Sequence, residues 1–379
     1  MFWLAFSFLS LLFATLGDRN VIRDKNINIT FRCLLVLSLA YVVGFCGVVA
    51  TDHYTYVQKY LMYSNVNSFS ELLKTMDFGI FYSEREMNDE TTSIGMAIFN
   101  YICAKIGIGV VTYFLIIAII TNSLLVKVLY RYSLPTLSVL IFITSTYFFQ
   151  EMNLVRQYIA VSIFVYSLRF VKEKNLKKYS ICILLAFLFH YSSMYLFPLY
   201  YLNRIRKGIS LSFIVRIIPI SLWVVSLFIA LNIIKIETLD FVAVTNYYEN
   251  YFENRDEKLS FDLMFNLLAL YLLYHIYITK KIEVSIDTIL YVLGVSLLNV
   301  SIQYYMIFRF ALFFNYINCI MVGDVLWTNN IRDKIFRRFC IILVVLVFFY
   351  FGRRLIFDFI LNDKVLIGSE FYSLNDLIQ

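Results

Sequence analysis

Glu151-Met-Asn-Leu-Val-Arg-Gln-Tyr-Ile-Ala160, continued by Val161-Ser-Ile-Phe-Val-Tyr-Ser-Leu-Arg-Phe-Val171, is the stretch whose reading decides the fold. From residue 154 to 171 it is an apolar run about 18 residues long, the length at which a helix begins to cross the hydrocarbon core of a bilayer. Yet it carries Arg156 within its first turns, where an ionisable group is costly and marks a functional site by default. One hydrophobic run later comes Phe189-His-Tyr-Ser-Ser-Met194, with a histidine in equally apolar surroundings.

The rest of the chain repeats the pattern. Hydrophobic residues make up 61% of the 379 positions and charged residues 16%. With a mean hydropathy of +0.74, the chain is too evenly apolar for a soluble domain carrying one anchor. Apolar runs at 1–16, 33–50, 107–126, 134–150, 154–171, 213–235, 261–279, 286–307, 310–328 and 339–351 are bounded by charged or turn residues. Long unbroken runs, with no alternation every second residue, argue for helices over a barrel. The expected fold class is an all-α polytopic integral membrane protein of about 10–12 transmembrane helices. Residues 1–379 read as a single transmembrane domain, with an external loop at 51–106 and a second at 236–260.

Basic residues set the orientation. They cluster at Arg19/Arg23/Lys25/Arg32, Lys127/Arg131, Lys172/Lys174/Lys177/Lys178, Arg204/Arg206/Lys207, Lys280/Lys281 and Arg332/Lys334/Arg337/Arg338, which read as cytoplasmic loops. No basic residue precedes the first run, whose first charge is Asp18. It reads as an uncleaved span, with both termini outside. The net charge of +7 is therefore a topology signal, and nucleic acid is not an expected partner. Residues 179–202 have basic residues at both ends, so keeping both inside requires a re-entrant hairpin turning near His190 to Ser193. As one straight helix the segment would measure about 36 Å and could cross once; charge favours the hairpin and length does not.

Two outer segments carry texture. The first ends in Ile94-Gly-Met-Ala-Ile-Phe-Asn-Tyr-Ile-Cys-Ala-Lys-Ile-Gly107, an amphipathic stretch expected to be a helix lying at the interface. The second, Thr245-Asn-Tyr-Tyr-Glu-Asn-Tyr-Phe-Glu-Asn-Arg-Asp-Glu257, offers tyrosines and carboxylates that suit sugar rings, or else form an interfacial aromatic belt.

Arg156, followed by Gln157, presents a guanidinium fork that never loses its charge and matches phosphate oxyanions; the competing reading is an arginine snorkelling to the headgroups. His190, beside Ser192 and Ser193, suits a general base or a phosphate donor, against the alternative of a structural hydrogen-bond donor. Asp52, with Tyr56 and Tyr60 following at helical spacing, can orient a sugar hydroxyl, act as base, or cap a helix. Arg309 lies at the outer end of another run. Together these residues would suit an anionic, lipid-linked substrate. The six cysteines, Cys33, Cys46, Cys103, Cys182, Cys319 and Cys340, show no close pairing and no metal spacing. Phosphate-cradling glycine loops, nucleophile elbows and zinc motifs are missing from the sequence, so no cofactor or metal is expected and the driving energy must come from the substrate.

These residues resemble the EpsG/Wzy-type family of polysaccharide and O-antigen polymerases. The resemblance is carried by Asp52, Tyr56 and Tyr60; by the helix from Gly95 to Gly107; by Arg156, Gln157 and Ala160; by Phe189, His190 and Ser192; and by Arg309 with Phe313. The chain departs from the family pattern at His53, where tyrosine is usual, at the position before Asp52, which lacks an arginine, and at Ser93, where a glutamate is expected and Glu90 lies upstream. The resemblance implies a GT-C-like fold in a bacterial cytoplasmic (inner) membrane. It implies that an undecaprenyl-pyrophosphate-linked oligosaccharide is the donor and that an incoming repeat unit supplies the attacking hydroxyl. His190 or Asp52 would be the base; Arg156, Gln157, Arg309, Tyr56 and Ser192 would bind substrate. Membrane lipid and a protein that regulates chain length are the expected partners. A flippase for lipid-linked units, an O-antigen ligase and a membrane acyltransferase are the alternatives. A flippase would show paired internal repeats, and an acyltransferase an acidic partner for the histidine.

Overall fold

The structure is a computed structural model, which describes residues 2–45, 53–77, 92–131, 134–144, 147–202, 209–231, 233–234, 263–277, 286–303 and 305–327. Asp52, Glu90, Cys46, Cys340, the acidic and aromatic loop 236–260 and the run 339–351 lie outside these residues. Two compact units divide the described residues: those up to Tyr200, joined by 323–327, and those within Tyr201–Val322.

In the first unit the described helices are α1 (Phe2–Leu16), α2 (Lys25–Gly44), α3 (His53–Ser64), α4 (Phe69–Lys74), α5 (Ile94–Ile106), α6 (Val110–Leu129), α7 (Pro135–Thr144), α8 (Tyr147–Asn153), α9 (Val155–Lys172) and α10 (Leu176–Phe189). A two-residue parallel bridge, β1 (Met76–Asp77) with β2 (Thr92–Ser93), leads into α5. The second unit holds α11 (Ile209–Ala230), α12 (Leu263–Tyr277), α13 (Ile286–Ser301) and most of α14 (Tyr305–Trp327).

Local chemistry explains where these helices start and stop. The Asp24 carboxylate accepts from the Asn26 and Ile27 amides, so α2 begins well ahead of its apolar run at residue 33. At the other end of α5, Gly107 takes the left-handed conformation (φ 77°) that a glycine adopts without steric cost. The run 134–150 is two helices, α7 and α8, rather than one. Among the described helices, Lys25–Gly44 and Val110–Leu129 are long and apolar enough to cross a bilayer; Ala5–Leu16, Ile94–Ile106, Ile217–Ala230, Phe265–Tyr274, Ile286–Ser301 and Ile307–Ile320 are shorter apolar stretches.

The segment read as a loop at 51–106 is largely helical: α3, α4 and α5 occupy most of its described part. Its order comes from aromatic burial. Tyr60 stacks on Tyr113 with ring centroids 4.2 Å apart, and both hydroxyls are satisfied, Tyr60 donating to the Ile108 carbonyl and Tyr113 to Asn100 Oδ1. Burial pushes the Tyr60 phenol up to about 12. Helix α5 buries Gly95, Met96, Ala97, Asn100 and Cys103 and exposes Ile98, Ile102 and Ile106. An exposed isoleucine stripe suits a helix lying against lipid.

Basic residues collect at one end of this unit. Lys127 and Arg131, from the end of α6, and Arg169, from the last turn of α9, all lie over the Tyr166 ring, Arg169 at 4.2 Å. Arg32 lies 4.0 Å over the Tyr130 ring and donates to the Gly17 carbonyl. Arg156 is at the opposite end of α9, about 20 Å from Arg169 at 1.5 Å per residue. Members of two of the basic clusters, Arg32 of one and Lys127 and Arg131 of the other, thus gather near Arg169 at one end of this unit.

The run 179–202 doubles back on itself. Helix α10 has 14 residues, about 21 Å and too short to cross about 30 Å of hydrocarbon. It stops at His190, whose backbone is extended (φ −152°, ψ 113°), and a 3-10 helix follows over Tyr191–Tyr201. The Tyr179 hydroxyl, near the start of α10, donates to the Leu196 carbonyl at 2.7 Å, and its ring lies 5.6 Å from that of Tyr200. Residues on either side of His190 therefore face one another.

In the second unit, α11 and α12 pack on α13 around a polar knot. Trp223 Nε1 donates to Asn266 Oδ1 at 3.0 Å; Asn266 Nδ2 donates to Asn299 Oδ1 at 2.8 Å; Asn299 Nδ2 donates to Ser226 Oγ at 3.1 Å. Each such interhelical bond in apolar surroundings is worth about 0.6–2 kcal/mol, and together they fix the register of three helices.

Candidate functional site

Tyr56 and Tyr60 lie one turn apart on α3, and the face they share meets the core cluster of Tyr113, Phe114, Ile117, Val155 and Ile159. Arg156 follows Val155 at the start of α9, so the packing that buries Val155 also fixes where the arginine emerges. Its guanidinium carbon is 5.9 Å from the Tyr56 ring centroid, a cation–π contact that holds the planar group on an aromatic face. Its Nη1 is 3.5 Å from Thr92 Oγ1, the residue before the N-cap of α5. Helices α3 and α9, with the β2 strand that leads into α5, thus bring Tyr56, Thr92 and Arg156 to one place. Gln157 is buried beside it.

His190 reaches the same cluster through its neighbour. Phe189 packs against the cluster alongside Tyr56 and Phe99, and the end of α10 lies on the first turn of α5. A Cβ on Gly95 would sit 2.9 Å from the Leu188 carbonyl oxygen, closer than real Cβ atoms come. Glycine at this position is what lets the two helix ends touch. The His190 amide donates to the Ala186 carbonyl at 2.9 Å and its carbonyl accepts from the Ser193 amide, so its main chain takes part in the turn. The Ser192 and Ser193 hydroxyl oxygens are buried without a partner among the described residues. Such groups are costly unless something occupies them.

The first α5 turn adds a further element. Ser93 is its N-cap, yet makes no side-chain cap bond, and the first turn carries no acidic residue. A helix start of this kind presents unpaired backbone amides and the positive end of the helix dipole. With a guanidinium close by, the surroundings favour an anion.

Of the sequence-derived site residues, Arg156, Gln157 and Tyr56 share one locus in the first unit, and His190 and Ser192 follow Phe189, which packs on the same cluster. Arg309, on α14, belongs to the second unit, half-buried, one turn before the fully buried Phe313. Asp52 lies outside the described residues. Thr92 and the Gly95–Leu188 contact were not singled out from sequence. Nor was the polar character of Asn122, Asn266 and Asn299, whose one signal is an asparagine in the middle of an apolar run. Among the described residues no group of three or more His, Cys, Asp or Glu side chains is placed to hold a metal ion.

The sequence pattern of the EpsG family matches residues 29–364, which include every one of these positions. No curated protein and no solved structure matches the chain.

Proposed function

Since the chain belongs to the EpsG family, we propose that it is a polysaccharide polymerase. It would join undecaprenyl-pyrophosphate-linked oligosaccharide repeat units at the outer face of a bacterial cytoplasmic membrane, as a glycosyltransferase that needs no nucleotide sugar. The family and the apolar helices make it a membrane protein of polysaccharide biosynthesis; donor, orientation and residue roles are the proposal.

The observation that carries it is the seating of Arg156 on Tyr56 and Thr92, at the opposite end of α9 from the gathered basic residues. If the basic end faces the cytoplasm, Arg156 lies toward the outer side, where a lipid-linked diphosphate would present its oxygens. In the reaction, a hydroxyl of the incoming unit gives its proton to a base, His190 or Asp52. Its oxygen forms a new bond to the anomeric carbon of the donor sugar. The bond from that carbon to the pyrophosphate breaks, and its electron pair leaves with the lipid diphosphate. Arg156 stabilises the charge that grows there. Direct displacement inverts the anomeric centre. The hairpin at His190 is re-entrant in this scheme, with protein covering its broken backbone as the bilayer requires. Gln157 and Ser192 complete the substrate contacts of the first unit, and a chain-length regulator and membrane lipid are partners.

Deletion of the gene tests the reading. The expected result is surface glycan with single repeat units and no long ladder on a gel. Loss of every repeat unit would point to a flippase or a ligase instead.

A further inference from the structure

Glu151, in α8, is 3% exposed and lies beside apolar residues of three other helices. One carboxyl oxygen accepts from Asn122 Nδ2 at 2.7 Å, and the same amide nitrogen also donates to the Ala118 carbonyl. The other carboxyl oxygen, Oε2, is buried with no partner among the described residues. Beside it is a cavity of about 10 Å³, lined by Val43 of α2, Phe114, Ile117 and Thr121 of α6, Met152 and Val155. That volume holds one water molecule. None of these lining residues, from α2, α6, α8 or α9, is basic or titratable apart from Glu151 itself.

A carboxylate in this place would have lost its hydration without gaining a counter-charge from the cavity wall. A single amide donor offsets only part of that loss. The neutral acid fits the same surroundings at little cost. Its carbonyl oxygen accepts from Asn122, and its hydroxyl has a proton to donate into the cavity, where the Thr121 side chain supplies the second polar wall.

We propose that Glu151 is a proton-binding site at the junction of α6, α8 and α9, held as the neutral carboxylic acid with its free oxygen donating to one buried water. The proton acts as a latch. While it is bound, α8 and the start of α9 pack on α6; once it is lost, the charge must reach solvent, which pulls Met152 and Val155 away from Phe114 and Ile117. Because Val155 directly precedes Arg156, the latch also governs how firmly that arginine is seated. The role does not depend on which substrate the protein uses.

Infrared spectroscopy on the purified full chain tests this directly. The difference spectrum between wild type and Glu151→Gln at neutral pH should contain the C=O stretch of a protonated carboxylic acid, supplied by the wild type alone. Thermal unfolding of the two proteins should coincide at neutral pH and separate in alkaline buffer, with only the wild type falling. The sign follows from linkage: the folded state holds the proton more tightly than the unfolded state, so stability is lost as pH rises. If Glu151→Gln does not fold, Glu151→Asp should shift the same band, and the wild-type band should move on exchange into heavy water. A wild type showing carboxylate bands only, with no acid C=O stretch removed by the substitution, would overturn the assignment. So would a rise in wild-type unfolding temperature in sodium chloride over choline chloride that Glu151→Gln abolishes, which would make the occupant a metal cation.

Discussion

Arg156→Ala should abolish polymerisation while leaving protein abundance unchanged. Loss of one preorganised charge-stabilising donor costs on the order of 3–4 kcal/mol in the transition state, a factor of about 100 to 1,000 in rate. Arg156→Lys separates charge from shape. An ammonium keeps the positive charge but loses the planar fork that grips two phosphate oxygens, and it also loses the flat face that rests on Tyr56. Its glycan ladder should therefore be short and faint, between wild type and alanine. Gel analysis of surface glycan, alongside immunoblots for abundance, gives the answer. A full-length ladder from Arg156→Ala at normal abundance would remove this residue from the chemistry and send the search to Asp52, Arg309 and the acidic loop.

His190→Ala should reduce the rate by about 100- to 10,000-fold, the range for loss of a general base. The backbone gives this substitution unusual clarity. His190 is extended, a conformation any residue adopts, and its own amide and carbonyl take part in the turn. Alanine should therefore preserve the reversal between α10 and the 3-10 helix, so that a loss of rate reports on the imidazole. The wild-type rate should also fall on acidification, as the imidazole takes a proton and ceases to be a base, and the residual activity of His190→Ala should lack that limb. A variant with wild-type rate would leave Asp52 as the base.

Much of this architecture was legible because bilayer-length apolar runs leave few alternatives. The break at His190 was only half legible: basic flanks at both ends of 179–202 favoured a reversal, while length and hydropathy allowed a single straight helix. The helical character of 53–77 was hinted at only by the helical spacing of Tyr56 and Tyr60 after Asp52. Helix α3 is stabilised by Tyr56, Tyr60 and Tyr63 packing on α5 and α6, and the sequence does not show what those tyrosines pack against. Arg156 stood out because an arginine in an apolar run is rare. Thr92 did not, because a threonine acquires meaning only once the chain places it beside Arg156. Glu151 was not singled out, because its burial against Asn122, 29 residues earlier, is a tertiary fact that no window of sequence contains. The same holds for Asn266 and Asn299, which a hydropathy average treats as noise inside apolar runs.

The most direct measurement is reconstitution. The purified chain is placed in vesicles with a synthetic repeat unit linked through pyrophosphate to undecaprenol, with no nucleotide sugar present. The account predicts lipid-linked products of two and more repeat units, each coupling releasing one undecaprenyl pyrophosphate, and none from the Arg156→Ala protein. Vesicles that move the lipid-linked unit from one leaflet to the other without ever lengthening it would contradict it.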